Sequence, residues 1–111
     1  EPQGDVAPTM AWRFGLDIAA ISAHCTVEAI AYARSSARVA DDLAAYRALI
    51  GDTAPLGTIV RPFGVDCDSV ENLAEKLDTI RAAGAERADF YHYGLMPLPT
   101  LDRIHAAVNA S

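Results

Sequence analysis

Arg13, Tyr32, Arg34, Arg61, Asp66, Asp68, His92 and Tyr93 are the side chains whose types could do chemistry and whose positions suit it. Each falls at or just past the end of a β-prone run, and parallel sheets hold their ligands at the carboxy ends of the strands. His92 is a candidate general acid or base, because an imidazole titrates near neutrality. Its alternative is a rim histidine bonded to a loop carbonyl, and strict strand alternation turns it away from the face shared by Tyr91 and Tyr93. Asp66, on the loop after a strand, is a candidate acid/base or metal ligand. Asp68 reads instead as a helix cap. Tyr93 suits stacking on a ring with a hydroxyl to place, whereas Tyr91, one pleat deeper, reads as filling. Tyr32, Arg34, Arg61 and Tyr93 are the candidate substrate-binding residues, and His92 and Asp66 the catalytic ones.

Arg61 lies on the same strand face as Glu28 and Asp89, which flank it on the neighbouring strands. A buried guanidinium needs such a carboxylate. The pattern therefore allows a structural ion-pair network, or a site for a ligand's carboxylate or phosphate. Glycoside hydrolysis by paired acids needs two carboxyls ~5–9 Å apart across the scissile bond, and Asp66 is the one rim acid with a free role. His24 and His105 are expected on helices, without a ligand partner at metal spacing. No CxxC or Cys/His cluster is present, so neither a metal nor a cofactor is expected.

The elements that would position these residues follow from periodicity. Glu1–Pro8 reads as an irregular leader, and 9–111 as one run of β/α units. Thr9–Phe14 is a short β-prone run closed by Gly15, and Leu16–His24 a short helix. In Thr26–Arg34, Val27, Ala29, Ala31 and Ala33 alternate with Glu28, Ile30, Tyr32 and Arg34, as in a strand. Ser35 or Ser36 can cap a helix whose stripe is Val39, Leu43, Tyr46 and Ile50, ended by Gly51. Leu56–Phe63 is the next strand, with Pro62 at its end because proline cannot donate to an interior ladder. Asp68, with Glu71 three residues on, reads as a variant capping box. Val70, Leu73, Leu77 and Ile80 make the next stripe, and Gly84 stops it. Arg87–Tyr93 is a strand. Pro97 and Pro99 then break the chain, and Thr100 caps a last helix carrying Leu101, Ile104, His105 and Val108.

The order is thus β-α-β-α-β-α-β-α, with a later period of roughly 30 residues, the size of one βαβ unit. Such units form parallel sheets with right-handed crossovers. A sheet with helices on both faces would show nearly continuous apolar strands. These strands are apolar on one face and polar or aromatic on the other, as in a closed barrel whose outer face packs on helices. A small open flavodoxin-like sheet is the alternative fold. No GxGxxG or GxxxxGK[ST] follows any strand, which lowers nucleotide binding.

Val60-Arg61-Pro62, the capped helix, Ala83-Gly84-Ala85 and Phe90-Tyr91-His92-Tyr93-Gly94-Leu95 together resemble the carboxy-terminal half of certain (β/α)8 (TIM) barrel proteins. The likeness runs from Trp12 to Val108, and its F-Y-[NH]-Y-G phrase lies on the final barrel strand. The resemblance is to uncharacterised barrels similar to sugar-active enzymes such as glycoside hydrolases. It implies a hydrolase-like protein acting on a small polar substrate, a carbohydrate among them. A non-catalytic half-barrel, closing as a homodimer or on a separate amino-terminal half, is the alternative.

Composition sets the outer bounds. The 111 residues fit one domain, and 51% hydrophobic with 22% charged residues is an ordinary globular balance. A net charge of −6, with the nine basic residues scattered, argues against nucleic acid or an anionic membrane as partner. No apolar run approaches the ~18–20 residues of a membrane helix. The start shows no charged n-region followed by an apolar core, hence no secretory signal, although the chain opens on Glu1 rather than Met, as an excised piece would. Cys25 and Cys67 fall near opposite ends of adjacent strands, roughly 20 Å apart at ~3.3 Å per residue. That distance is too long for a disulfide. Two free thiols favour a reducing, cytoplasmic setting.

Overall fold

The computed structural model describes residues 17–111. The expected leader at Glu1–Pro8 and the strand expected at Thr9–Phe14, with Arg13, lie outside them. The first element among the described residues is a short helix α1 (Ile18–Ser22), capped by Asp17, whose carboxylate accepts from the Ala20 N–H at 3.0 Å. Strand β1 (Val27–Ile30), helix α2 (Ser36–Ile50) and strand β2 (Leu56–Val60) follow. A single 3-10 turn (Gly64–Asp66) leads into α3 (Val70–Ala82), then β3 (Arg87–Phe90) and α4 (Pro99–Ala110). The protein is therefore α/β, with an open parallel sheet.

The sheet order is β1-β2-β3, with Val27 opposite Leu56 and Gly57 opposite Arg87. A sheet that advances in one direction through right-handed crossovers keeps all its helices on one side. One core results. Val27, Ala29 and Ala31 of the first strand region, with Leu56 and Val60 of β2, are buried against Val39, Leu43 and Tyr46 of α2. Leu73, Leu77 and Ile80 of α3 and Ala107 of α4 complete it. Ala88 and Phe90 pack on its edge. The opposite sheet face carries Glu28, Ile30, Ile59, Arg87 and Asp89, and no described helix lies over it.

The stripes of α2 and α3 match the expected spacing, and the helix ends explain the lengths. Helix α4 instead packs through Thr100, Ile104 and Ala107 and leaves Leu101, His105 and Val108 of its expected stripe exposed. The helix begins at Pro99, and its packed face is set by where that start docks on the core. Ser35 is the cap of α2, accepting from Arg38 N–H at 3.3 Å. Gly51 follows it at φ 83°, a conformation that costs glycine nothing. The cap of α3 is Ser69, whose hydroxyl accepts from Asn72 N–H at 3.0 Å. Asp68, expected in that role, sits one residue too early, and its carboxylate turns to Arg34 instead. Thr100 does not cap α4 either. The helix starts at Pro99, whose ring presets the backbone angle of a first helical residue, and Thr100 is buried.

The strands are shorter than the alternation implied. Ala31 N–H still donates to Ile59 O at 2.9 Å, and Tyr91 N–H to Val60 O at 2.8 Å. Beyond those bonds the chain leaves the sheet, because Pro62 has no N–H with which to extend the ladder. His24 lies in the turn after α1 rather than on a helix, while His105 is within α4. Both cysteines are free, Cys25 exposed and Cys67 buried.

Candidate functional site at the carboxy end of the sheet

Where β1, β2 and β3 end, four of the expected site residues converge. Arg61, immediately after β2, donates from Nε and Nη2 to the same carboxylate oxygen, Oδ2, of Asp66. Its guanidinium carbon stands 4.6 Å from the centre of the Tyr32 ring, so the cation also rests on an aromatic face. Tyr32 and Tyr91 have ring centres 6.3 Å apart, and Tyr91 meets His92 edge-on at 4.4 Å. The Tyr91–His92 peptide bond is cis. The result is a continuous path from Asp66 through Arg61, Tyr32 and Tyr91 to His92, spanning all three strand ends.

Each member arrives by a different route. Tyr32 follows β1 on the uncovered side of the sheet. Arg61 keeps the facing of Ile59, two residues earlier on β2. Asp66 ends the 3-10 turn and is buried beneath Arg61. Tyr91 keeps its last ladder bond, while the carbonyl of His92 accepts from Leu95 and Met96 N–H, both at 3.1 Å, and curls the chain away. Arg34 stands beside this cluster rather than in it. Its Nη2 is 3.5 Å from Asp68 Oδ2, with both side chains about half exposed, and its carbonyl accepts from Asn72 Nδ2 at 3.0 Å. Tyr93 is 72% exposed on the loop after β3, outside the cluster.

The electrostatics follow from these contacts. Burial pushes the Tyr32 hydroxyl above the usual phenol range, and the Arg61 charge opposes this only in part. The hydrogen bond to Asp66 holds the Arg61 guanidinium even more firmly protonated than usual. Asp66 is not the free rim acid that its loop position implied, because Arg61 already engages its carboxylate. Nor do Glu28 and Asp89 serve Arg61. Both pair with Arg87, Asp89 at 2.9 Å from its Nε. Gly57 makes this possible on β2, since a Cβ there would collide with the Glu28 carboxylate.

Three residues of the site were missed by pattern reasoning. Tyr91 is 43% exposed and links Tyr32 to His92, where a deeper filling residue was expected. Lys76 is completely buried, and its Nζ donates to the main-chain carbonyl of Asp66 at 2.7 Å. Burial lowers its pKa from the usual lysine value, against the raising effect of Cys67, Asp66 and Asp68. Arg103 of α4 donates from Nη1 to Pro62 O at 3.1 Å and Cys67 O at 3.2 Å. A signal existed for Lys76, which falls three residues after Leu73 and four before Ile80, on the apolar stripe of α3.

The cluster can offer hydrogen bonds of both signs beside an aromatic surface. Both contacts from Arg61 fall on Oδ2, so Nη1 of Arg61 and Oδ1 of Asp66 have no partner among the described residues. Among those residues no group of three or more His, Cys, Asp or Glu could hold a metal ion. No described helix is long and apolar enough to cross a membrane. Comparison with protein-family models, curated proteins and solved structures finds no match for the chain.

Proposed function

We propose that this chain is a run of β/α units from a (β/α)8 barrel, part of an enzyme or enzyme-like protein acting on a small polar substrate, with a carbohydrate as the leading class. The observation that carries the reading is the one-way order β1-β2-β3, with its helices on one face and the Arg61–Asp66–Tyr32–Tyr91–His92 cluster at the carboxy end of the other. Barrel proteins place substrates on that side. The Arg61–Asp66 pair is internally neutralised, so it suits hydroxyl groups, which both donate and accept. The exposed Tyr91 ring suits the apolar face of a sugar. His92, and Asp66 once released from Arg61, are the groups that could move a proton, with Arg34 beside the cluster and Tyr93 on the loop after β3 as further binding candidates.

The test is a titration of the isotopically labelled chain with neutral monosaccharides and with sugar acids, followed by NMR. Shifts confined to Tyr32, Arg61, Asp66, Tyr91 and His92 support the reading. Shifts at Glu28 and Arg87 at the amino end, or none in the millimolar range, argue against it. A second reading, a non-catalytic half-barrel that closes on another copy, is favoured by one specific observation. Both described rim acids, Asp66 and Asp68, are already paired with arginines, so the described residues supply no free pair of carboxylates for hydrolysis.

A further inference from the structure

We infer that Lys76 and Arg103 are positioning residues of the rim site: they hold the turn from Pro62 to Cys67 by its carbonyls and so fix where the Asp66 carboxylate stands. The inference rests on the proposal that Asp66 and Arg61 face the substrate. Lys76 occupies a core position of α3, among Leu73, Leu77 and Ile80, where leucine or methionine would pack. An ammonium taken out of water is costly unless its donors are used. This one reaches the Asp66 carbonyl at 2.7 Å. Arg103 comes from a different helix and bonds both ends of the same turn, at Pro62 O and Cys67 O.

The division of labour is clear from the atoms involved. Arg61 takes the carboxylate of Asp66, whereas Lys76 and Arg103 take only main-chain oxygens. Pro62 and Cys67, at the ends of the turn, are buried, whereas Gly64 and Val65 in its middle are exposed. The middle thus has no apolar packing of its own, and the Lys76 bond to the Asp66 carbonyl is what restrains it. Two helices on the packed face of the sheet thereby set the geometry of an acid that faces the other side.

The experiment uses the labelled chain with Lys76→Met and, separately, Arg103→Met, and it needs no ligand. Two signals are followed: the Nε–H resonance of Arg61, which reports its bond to Asp66, and amide exchange at Gly64–Cys67. Each variant is expected to stay folded, with exchange in the turn about tenfold faster or more and exchange in β2 unchanged. The Arg61 Nε–H signal is expected to collapse toward that of exposed arginines. Folded variants with an unmoved Arg61 signal and unchanged turn exchange would overturn the inference. So would global unfolding of both, which would make the two cations ordinary determinants of the fold. Because no sugar enters the measurement, a failed sugar titration leaves this result standing.

Discussion

Lys76 gives the site a pH signature that can be read without knowing the ligand. Its pKa in the folded chain is below the usual lysine value because burial disfavours the ammonium. Between the two values the unfolded chain holds a proton that the native chain has released, so stability from this group rises with pH across that window. Tyr32 and Tyr46 act in the opposite sense. Burial raises both, so their contribution is complete below the usual phenol range and is lost as pH climbs through the raised values. Comparing wild type with Lys76→Met cancels the tyrosines. Urea unfolding at stepped alkaline pH is expected to show wild type gaining on the variant as pH approaches the ordinary lysine range. Parallel curves would contradict the assignment. Arg61 makes a second residue-scale case. Arg61→Met leaves the buried Asp66 carboxylate without its partner and is expected to cost about 3 kcal/mol. The double variant with Asp66→Asn should cost less than the sum of the singles in the same assay. The identity of that partner was not legible in the sequence. Alternation placed Glu28 and Asp89 beside Arg61, but Arg87 enters the same face lower down and takes both, while a five-residue local loop brings Asp66 back to Arg61.

At the scale of the elements, caps and end contacts decide where helices and strands begin and stop. Ser69→Ala is expected to lower stability by about 1 kcal/mol through loss of the α3 cap. Asp68→Ala removes only a half-exposed ion pair and should cost under about 0.5 kcal/mol. Equal losses in thermal melts would return the cap to Asp68. Arg47 ties the amino end of the sheet together, donating to Gly51 O at 3.2 Å, Ala54 O at 2.7 Å and Gly84 O at 2.7 Å. Its Nε also donates to Ala83 O at 3.4 Å, and Arg47→Ala is expected to cost about 2 kcal/mol, because it frees four carbonyls on two loops. The helices themselves were plain in the sequence, since the Val39–Leu43–Tyr46 and Leu73–Leu77–Ile80 stripes need only local spacing. Strand ends were less legible. Thr26–Arg34 alternates to its last residue, but pairing stops when β2 runs into Pro62, and that is a property of the neighbour. Lys76 is not legible as a core residue from its stripe, because a charge at such a position is ordinarily a sign of the surface. Here the long stem crosses the core to a carbonyl.

For the whole molecule the decisive feature is asymmetry. One sheet face is packed by helices, and the other is uncovered by any described helix. All-parallel sheets occur almost only with both faces covered, and Ile30 and Ile59 lie on the uncovered side. Tyr93, Leu95 and Leu98, on the loop between β3 and α4, are also strongly exposed. The α/β class and its parallel, one-way order were legible from the alternation of elements, whereas what covers the second sheet face is not encoded in local spacing. If the uncovered face is the inner surface of a barrel, the isolated chain should recruit something to cover it, and a second copy is what a pure sample offers. The most direct measurement is therefore the solution mass of the 11.8 kDa chain by light scattering on a sizing column. A species near twice that mass is the result this account expects. A stable, well-folded monomer would contradict it.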